Sequence, residues 1–385
     1  MEPTFPGSVD PARHLQAQSG GIMPQPVGQS TAAAPPVNAG LPPTALPNGR
    51  VAAGPFDVED PGAHRHPRTD LAVEAHAAVA EALGGQVPGV SAQEEQRGNV
   101  HISRVHIFSR QGEEALGKVS GRYVTLDAPA LRRRNREVQA EIAEVLTDEL
   151  ARLMNLGPDD QVLVVGLGNW NATPDALGPK VVASLLVTRH LRRYLPAELV
   201  GHLRGVAAVA PGVLGLTGIE TGDIVRGIVS QVQPAAVICI DALAAGNLER
   251  VNTSIQLSDT GINPGSGVGN KRAGITEASL GVPVFAIGVP TVVHATTIVN
   301  DALDLVVNEV RQEQQPSPLG GLAATDDADR QALVEQVLQP DLGDLIVTPK
   351  EVDVMITDLS RILAGAMNAA LHPGVSKEEM DQYLN

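Results

Sequence analysis

Two aspartates carry the chemistry this sequence can be read for. Asp175 and Asp241 each stand just beyond a short, unbroken apolar run, Val162–Val165 and Ala235–Ile240, of the kind that forms a strand buried on both faces. Strand ends of this type share one rim of a parallel sheet, where ligands collect. Pro174, Ala176 and Leu177 surround one carboxylate, and Ile240, Ala242 and Leu243 the other. In such a setting desolvation and mutual repulsion raise one pKa, so that the pair shares a single proton. The ionised member can then take a proton from water while the protonated member acts as acid on a carbonyl. That is hydrolysis. Either aspartate alone could instead cap a following helix, but two at matching positions favour the pair.

Other residues fit chemistry less closely. His294 would complete an Asp/Asp/His metal site, which defines a metal-dependent peptidase as the alternative mechanism. Ser266, in NPGSGVGNK, lacks the strand-turn-helix setting of a serine nucleophile. Its neighbours Gly265, Gly267 and Gly269 suit close approach of substrate or of another subunit. Lys271 and Arg272 could meet an acidic substrate side chain or stay solvated, and Gly168 and Asn169 are further rim contacts. The G-x-G of the Gly166–Gly168 loop raises a nucleotide-binding regulatory protein as a non-enzymatic alternative. Against it, Asn171 replaces the third glycine and Asp175 would face a phosphate. Cys239, the only cysteine, lies in an apolar run and reads as a core thiol, which leaves no disulfide and no cysteine zinc site.

The elements that must position these residues follow an alternating pattern. Past the 162–165 strand, helical and strand-like stretches succeed one another. They predict an α/β fold, a mainly parallel sheet flanked by helices on both faces. Residues 99–108 and 121–126 predict a small additional antiparallel β element, and 251–262 a hairpin arm or edge strand. Helices are expected over the stripe Val138–Met154, from Gly178 to Tyr194, through Ile224–Val229 and from Thr291 to Val310. Thr348-Pro349-Lys350-Glu351 has the form of a capping box opening the last helix, which Pro373 ends.

The chain has 385 residues and a net charge of −16, which argues against direct binding to nucleic acid. Aromatic residues make up 2% of it, so the core must be aliphatic. No apolar run reaches the roughly 18 residues of a membrane span, and no secretory signal is evident. Both point to a cytoplasmic protein without membrane partners. Thirteen of the 29 prolines fall in residues 1–67, too polar and irregular a composition to offset its ordering entropy. The expected division is a mostly disordered Pro/Gly/Ala-rich tail over 1–70, an α/β body over 71–373 and a C-terminal tail over 374–385.

At these residues the sequence resembles the bacterial germination protease family. The likeness runs through RTDLAVEA at 68–75, GRYVTL at 121–126, VVGLGN at 164–169 and TPDALGPK at 173–180. It continues through PGVLGLTGIET at 211–221, IDALAA at 240–245, ERVNTSIQLSDTGINPGSGVGNKR at 249–272, AIGVPTVV at 286–293 and TPKEVD at 348–353. The resemblance implies an endopeptidase that degrades small acid-soluble spore proteins in the spore core at germination; no cofactor is expected, with the metal-dependent mechanism as the alternative. It implies a homotetramer and an inactive precursor that removes its own propeptide, the cut falling between Asp70 and Leu71. It also implies a fold like that of hydrogenase-maturation peptidases, with Asp175 and Asp241 catalytic. A precursor needs a latch, so the segment around Arg68–Glu74 is expected to lie near the carboxylate pair. Acidification, by favouring the singly protonated pair, is the expected trigger.

Overall fold

Alternating and continuous aliphatic runs build one sheet in this protein. The computed structural model describes residues 69–194, 203–263, 273–312, 325, 327–342 and 345–375. Ser266, Lys271 and Arg272 lie outside them, as do nearly all of the two expected tails. The strands are β1 (Val90–Arg97), β2 (Val100–Ile107), β3 (Gly121–Asp127), β4 (Val162–Gly166), β5 (Val206–Val209), β6 (Ala236–Ala245), β7 (Ser254–Ser258), β8 (Val284–His294) and β9 (Ile346–Val347). Their spatial order is β1-β2-β3-β7-β8-β6-β4-β5, with β9 paired to β8. β5, β4, β6 and β8 are parallel. From β8 the sheet continues antiparallel through β7, β3, β2 and β1.

The fold is thus a mixed α/β sheet flanked by helices. The small antiparallel element is not separate: it is hydrogen-bonded to the parallel half. β7, expected as an edge strand, lies between β3 and β8 with all five residues buried.

The main helices are α1 (Ala72–Leu83), α2 (Arg110–Leu116), α3 (Arg136–Met154), α4 (Leu177–Val182), α5 (Thr221–Val232), α6 (Ala295–Gln312), α7 (Asp327–Leu342) and α8 (Val352–Leu371). On one face of the sheet Val164, Ile238, Ile240, Leu257, Ile287 and Leu126 pack under α3, α4 and α8 in a single aliphatic core. Although α8 is long and apolar enough to cross a membrane, it is part of this core. The opposite face is divided. Val165, Val237 and Cys239 pack under α5, whereas Val105, Ile107 and Tyr123 pack under α1. Between the two patches, Leu71 and Val73 rest on Leu243.

Tertiary contacts override three local expectations. The helix expected to reach Tyr194 stops at Val182 and resumes for one turn at Leu191–Tyr194. In the gap Leu186 N–H is taken by the Asn368 side chain at 2.9 Å, and Thr188 N–H by Val206 O at 3.0 Å. The 348–351 capping box does not form, because Glu351 occupies the N-cap with no side-chain bond. The Thr348 hydroxyl instead donates to Thr291 O at 2.8 Å, tying the entry of α8 to β8. β8 itself runs on to His294, so α6 begins at Ala295 rather than Thr291.

Candidate active site

Asp175 is positioned by the exit from β4. Past Gly166, Leu167 N–H donates to Ile240 O at 2.8 Å and keeps the chain beside β6 for one more residue. Gly168 then turns it with φ of 111°. A Cβ there would lie 2.0 Å from the Asp175 carbonyl oxygen and 3.0 Å from its Oδ1. Only glycine fits that approach. Asn169 N–H donates to Asp175 Oδ2 at 2.8 Å, and the Asn169 side chain accepts from Asn171 N–H at 2.9 Å. The loop therefore folds onto its own carboxylate, with one of its N–H groups occupied there instead of facing a phosphate. Asp175 closes a single 3-10 turn, Thr173–Asp175, and the N-cap of α4 is Ala176, so the carboxylate does not cap that helix. The turn packs against both β6 and β8.

Asp241 is not at a strand end, as the sequence led us to expect, but inside β6, 6% exposed. β6 extends past it because β8 continues alongside to Val293. Asp241 is level with Gly288 of β8, Gly288 with Gln256 of β7, Gln256 with Thr125 of β3, and Thr125 with Ser103 of β2. Residues paired in this way point to the same face. A buried polar row thus crosses the sheet on the divided face, one step from the aliphatic row of Ile240, Ile287 and Leu257. Cys239 precedes Asp241 by two residues on that face. Its thiol is pushed up first by burial and then by the Asp241 charge, so it is an inert core thiol.

The segment leading into α1 crosses this face. Leu71 is fully buried against Leu243, two residues beyond Asp241; burial on that scale contributes about 1.5–3 kcal/mol. Asp70 N–H donates to Ala244 O at 3.1 Å, and Ala244 N–H donates to Asp70 Oδ2 at 3.0 Å. Asp70 O accepts from Gln256 Nε2 at 3.2 Å, and Ala72 N–H donates to Gln256 Oε1 at 2.7 Å. Lys118 Nζ donates to Thr69 O at 2.9 Å. Burial lowers the pKa of this ammonium, while the charges of Asp70 and Glu74 oppose the fall. Glu74 accepts from the Thr69 hydroxyl and, at 2.8 Å, from Gly246 N–H, with Arg250 Nε 3.6 Å away.

Glu74 makes the seating of this segment pH-dependent. Burial pushes its carboxyl above the ordinary value of 4.5, against the hydrogen bonds from Thr69 and Gly246 and the charge of Arg250, which pull it down. A raised value in the docked state means that docking favours the protonated form. The contribution is therefore complete below 4.5 and is lost as pH rises through the raised value. Hydrogen-exchange protection of residues 71–75, corrected for intrinsic rates, is expected to fall as pH rises from about 4 to 7. Glu74→Gln should flatten that dependence; an unchanged slope in the variant would assign it elsewhere. At this residue acid tightens the segment, which opposes acidification as a release signal.

The remaining candidates separate. His294 is 3% exposed at the far end of β8, paired with Ile346. It lies six residues beyond the level of Asp241, on the order of 20 Å along the strand, so the three proposed metal ligands are not brought together. Among the described residues no group of three His, Cys, Asp or Glu could hold a metal. Gly168 and Asn169 do stand at the Asp175 loop. Gln256, Ala244 and Lys118 were not singled out from the sequence. Only Gln256 had a signal, the alternation of SIQLS at 254–258, which marks one polar face; nothing in the sequence marked Ala244 or Lys118.

Asp175, on the turn after β4, and Asp241, inside β6, belong to neighbouring parallel strands, and Leu71 packs on Leu243 of β6, two residues beyond Asp241. The family model and the sequence relatives define the class, a peptidase. A family model described as germination protease matches residues 68–318 and 308–384. The germination protease of Caldanaerobacter subterraneus subsp. tengcongensis is 47% identical over 320 residues, covering 83% of this chain and 98% of that one. That of Clostridium acetobutylicum is 46% identical over 323 residues, 83% and 99% of the two chains. That of Bacillus velezensis is 42% identical over 354 residues, 82% and 96%. Among solved structures, the hydrogenase maturation protease HycI from Thermococcus kodakarensis aligns over 37% of this chain and 80% of its own, at 16% identity and a TM-score of 0.25. The chain belongs to the germination protease family. It is a peptidase of spore germination, and its substrates are proteins.

Proposed function

We propose that this chain is a self-processing endopeptidase in which Asp175 and Asp241 activate water, and that it starts the breakdown of small acid-soluble spore proteins. In this reading residues 1–70 are a propeptide, 71–373 the peptidase body and 374–385 a tail. The first cut falls between Asp70 and Leu71. The enzyme works as a homotetramer in the cytoplasm of the forespore and spore core, as the family resemblance implies.

One observation carries the reading. The Asp70–Leu71 bond lies on the face of β6 from which Asp241 projects: Asp70 N–H is on Ala244 O, and Leu71, with φ of −82° and ψ of 123°, is seated on Leu243, two residues along that strand. In the reaction the ionised carboxylate takes a proton from water as its oxygen adds to the Asp70 carbonyl carbon. The protonated carboxylate first supports the developing oxyanion and then supplies the proton that the Leu71 nitrogen needs when the C–N bond breaks. Asn169 N–H holds the Asp175 carboxylate still throughout.

The test uses processed protein and a purified small acid-soluble spore protein, with fragments read by mass spectrometry. Cleavage after an acidic residue is expected, at a rate unchanged after exhaustive chelation. Loss of activity on chelation, restored by one divalent metal, would replace the carboxylate mechanism with a metal-dependent one. An intact substrate would remove the substrate assignment.

A further inference from the structure

Gln256 makes the contact most telling for the reaction. From β7 it is level with Gly288, and through Gly288 with Asp241, so the two side chains leave the same face about 10 Å apart. Gly288 keeps the space between them narrow: a Cβ on it would lie 2.3 Å from Leu243 Cδ1, whose side chain leans across. Gln256 is 8% exposed, and both of its amide atoms are engaged on the entering segment. Oε1 accepts from Ala72 N–H at 2.7 Å, and Nε2 donates to Asp70 O at 3.2 Å. One side chain therefore spans Leu71 and touches the carbonyl oxygen of the very bond proposed above to be cut.

We propose that Gln256 is a catalytic residue of this protease, its Nε2 holding and polarising the carbonyl under attack while its Oε1 anchors the chain beyond the cut. The inference rests on the reading of Asp175 and Asp241 as the proton-transferring pair. When water adds, negative charge develops on the Asp70 carbonyl oxygen, and a donor already fixed there stabilises it without reorganisation. Gln256 itself gains and loses no proton. Both hydrogen bonds are to backbone, so any segment that repeats the Leu71 backbone angles beside Ala244 offers the same carbonyl and N–H. Strand-like seating of this kind takes its affinity from main-chain bonds and its selectivity from the side-chain pockets.

A carboxamide at this position also satisfies the first N–H of α1, which alone would be a structural role, and the experiment separates the two. Gln256→Glu keeps an acceptor for Ala72 N–H but has no donor for the Asp70 carbonyl when ionised; Gln256→Met has neither. Self-cleavage of the full chain is followed by intact mass. Exchange protection of Ala72 N–H is measured in parallel in chains that also carry Asp241→Asn. The expected result for Gln256→Glu is parental Ala72 protection with self-cleavage slowed about 10²–10³-fold. For Gln256→Met both should be lost. Either variant, folded and cleaving within about threefold of the parent, overturns the proposal while leaving the aspartate pair standing. A Gln256→Glu chain that slows only as Ala72 protection disappears also overturns it, because the role is then structural. If instead Asp241→Asn still cleaves, the pair is wrong, and the Gln256 effect can still be read from the two variants in the parental chain.

Discussion

On the proposed mechanism, a full-length chain carrying Asp241→Asn is expected to keep its first 70 residues under conditions in which the parent loses them, and to leave protein substrates intact. Asparagine preserves the shape of the side chain and can still accept Ala242 N–H, the bond Asp241 makes at 2.9 Å. What it removes is the proton that the proposed pair would hold and pass on. Proton transfer by a positioned side chain contributes about 10²–10⁴-fold. Members of one catalytic unit fail together rather than additively. Asp175→Asn should therefore be about as damaging, and the double variant little worse than either single one. Intact mass gives the self-cleavage rate, and an unchanged melting temperature shows that the fold survived. Maturation of either variant at the parental rate would take that residue out of the chemistry.

Gly178→Ala should cost the fold about 3 kcal/mol and the activity with it. An added Cβ would lie 2.3 Å from Leu167 O, 2.6 Å from Leu167 N and 2.7 Å from Gly166 C. All three are backbone atoms of the chain leaving β4, and none can swing aside as a side-chain end could. From the other side, a Cβ on Gly166 would meet Gly178 O at 2.3 Å. The first turn of α4 is laid directly on the strand exit, and Asp175 is carried between them. A melting temperature lower by about 6–12 °C is the readout. Gly365 of α8 has nothing within 4 Å of its Cβ position, and Gly365→Ala should be neutral or slightly stabilising. Equal behaviour of the two alanine variants would mean that the strand–helix contact is not tight.

The parallel half of the sheet was readable because strands buried on both faces are written as unbroken aliphatic runs, as in Val162–Val165 and Ala235–Ile240. The position of Asp175 was readable for the same reason, since glycine and proline mark where such a run stops. Asp241 was misplaced, since β6 runs on to Ala245. The polar residue inside IDALAA looks like a strand end, but β6 goes on because β8 pairs with it as far as Ala245. β7 misled in the same way. Alternation in SIQLS normally means that one face meets water, whereas here the polar face meets a peptide backbone. Nothing local distinguishes the two, since hydrogen-bonding side chains serve both. Gln256 could be recognised only once Asp70 and Ala72, 186 and 184 positions away, lay against it.

The seating of Leu71 bears on what becomes of the protein once the bond before it is gone. The residue enters α1 with its N–H on the Thr69 hydroxyl, 3.0 Å away, so an uncut chain offers the helix start a neutral partner. Severing the link turns that amide into an ammonium at the positive pole of a helix, where a cation is disfavoured. On the proposed cut the new end is expected to leave its seat as the departing fragment loses its hold on Ala244, and rejoining would require remaking a peptide bond in water. A cut at the proposed position would therefore act as a ratchet, a step each molecule passes once with no route back.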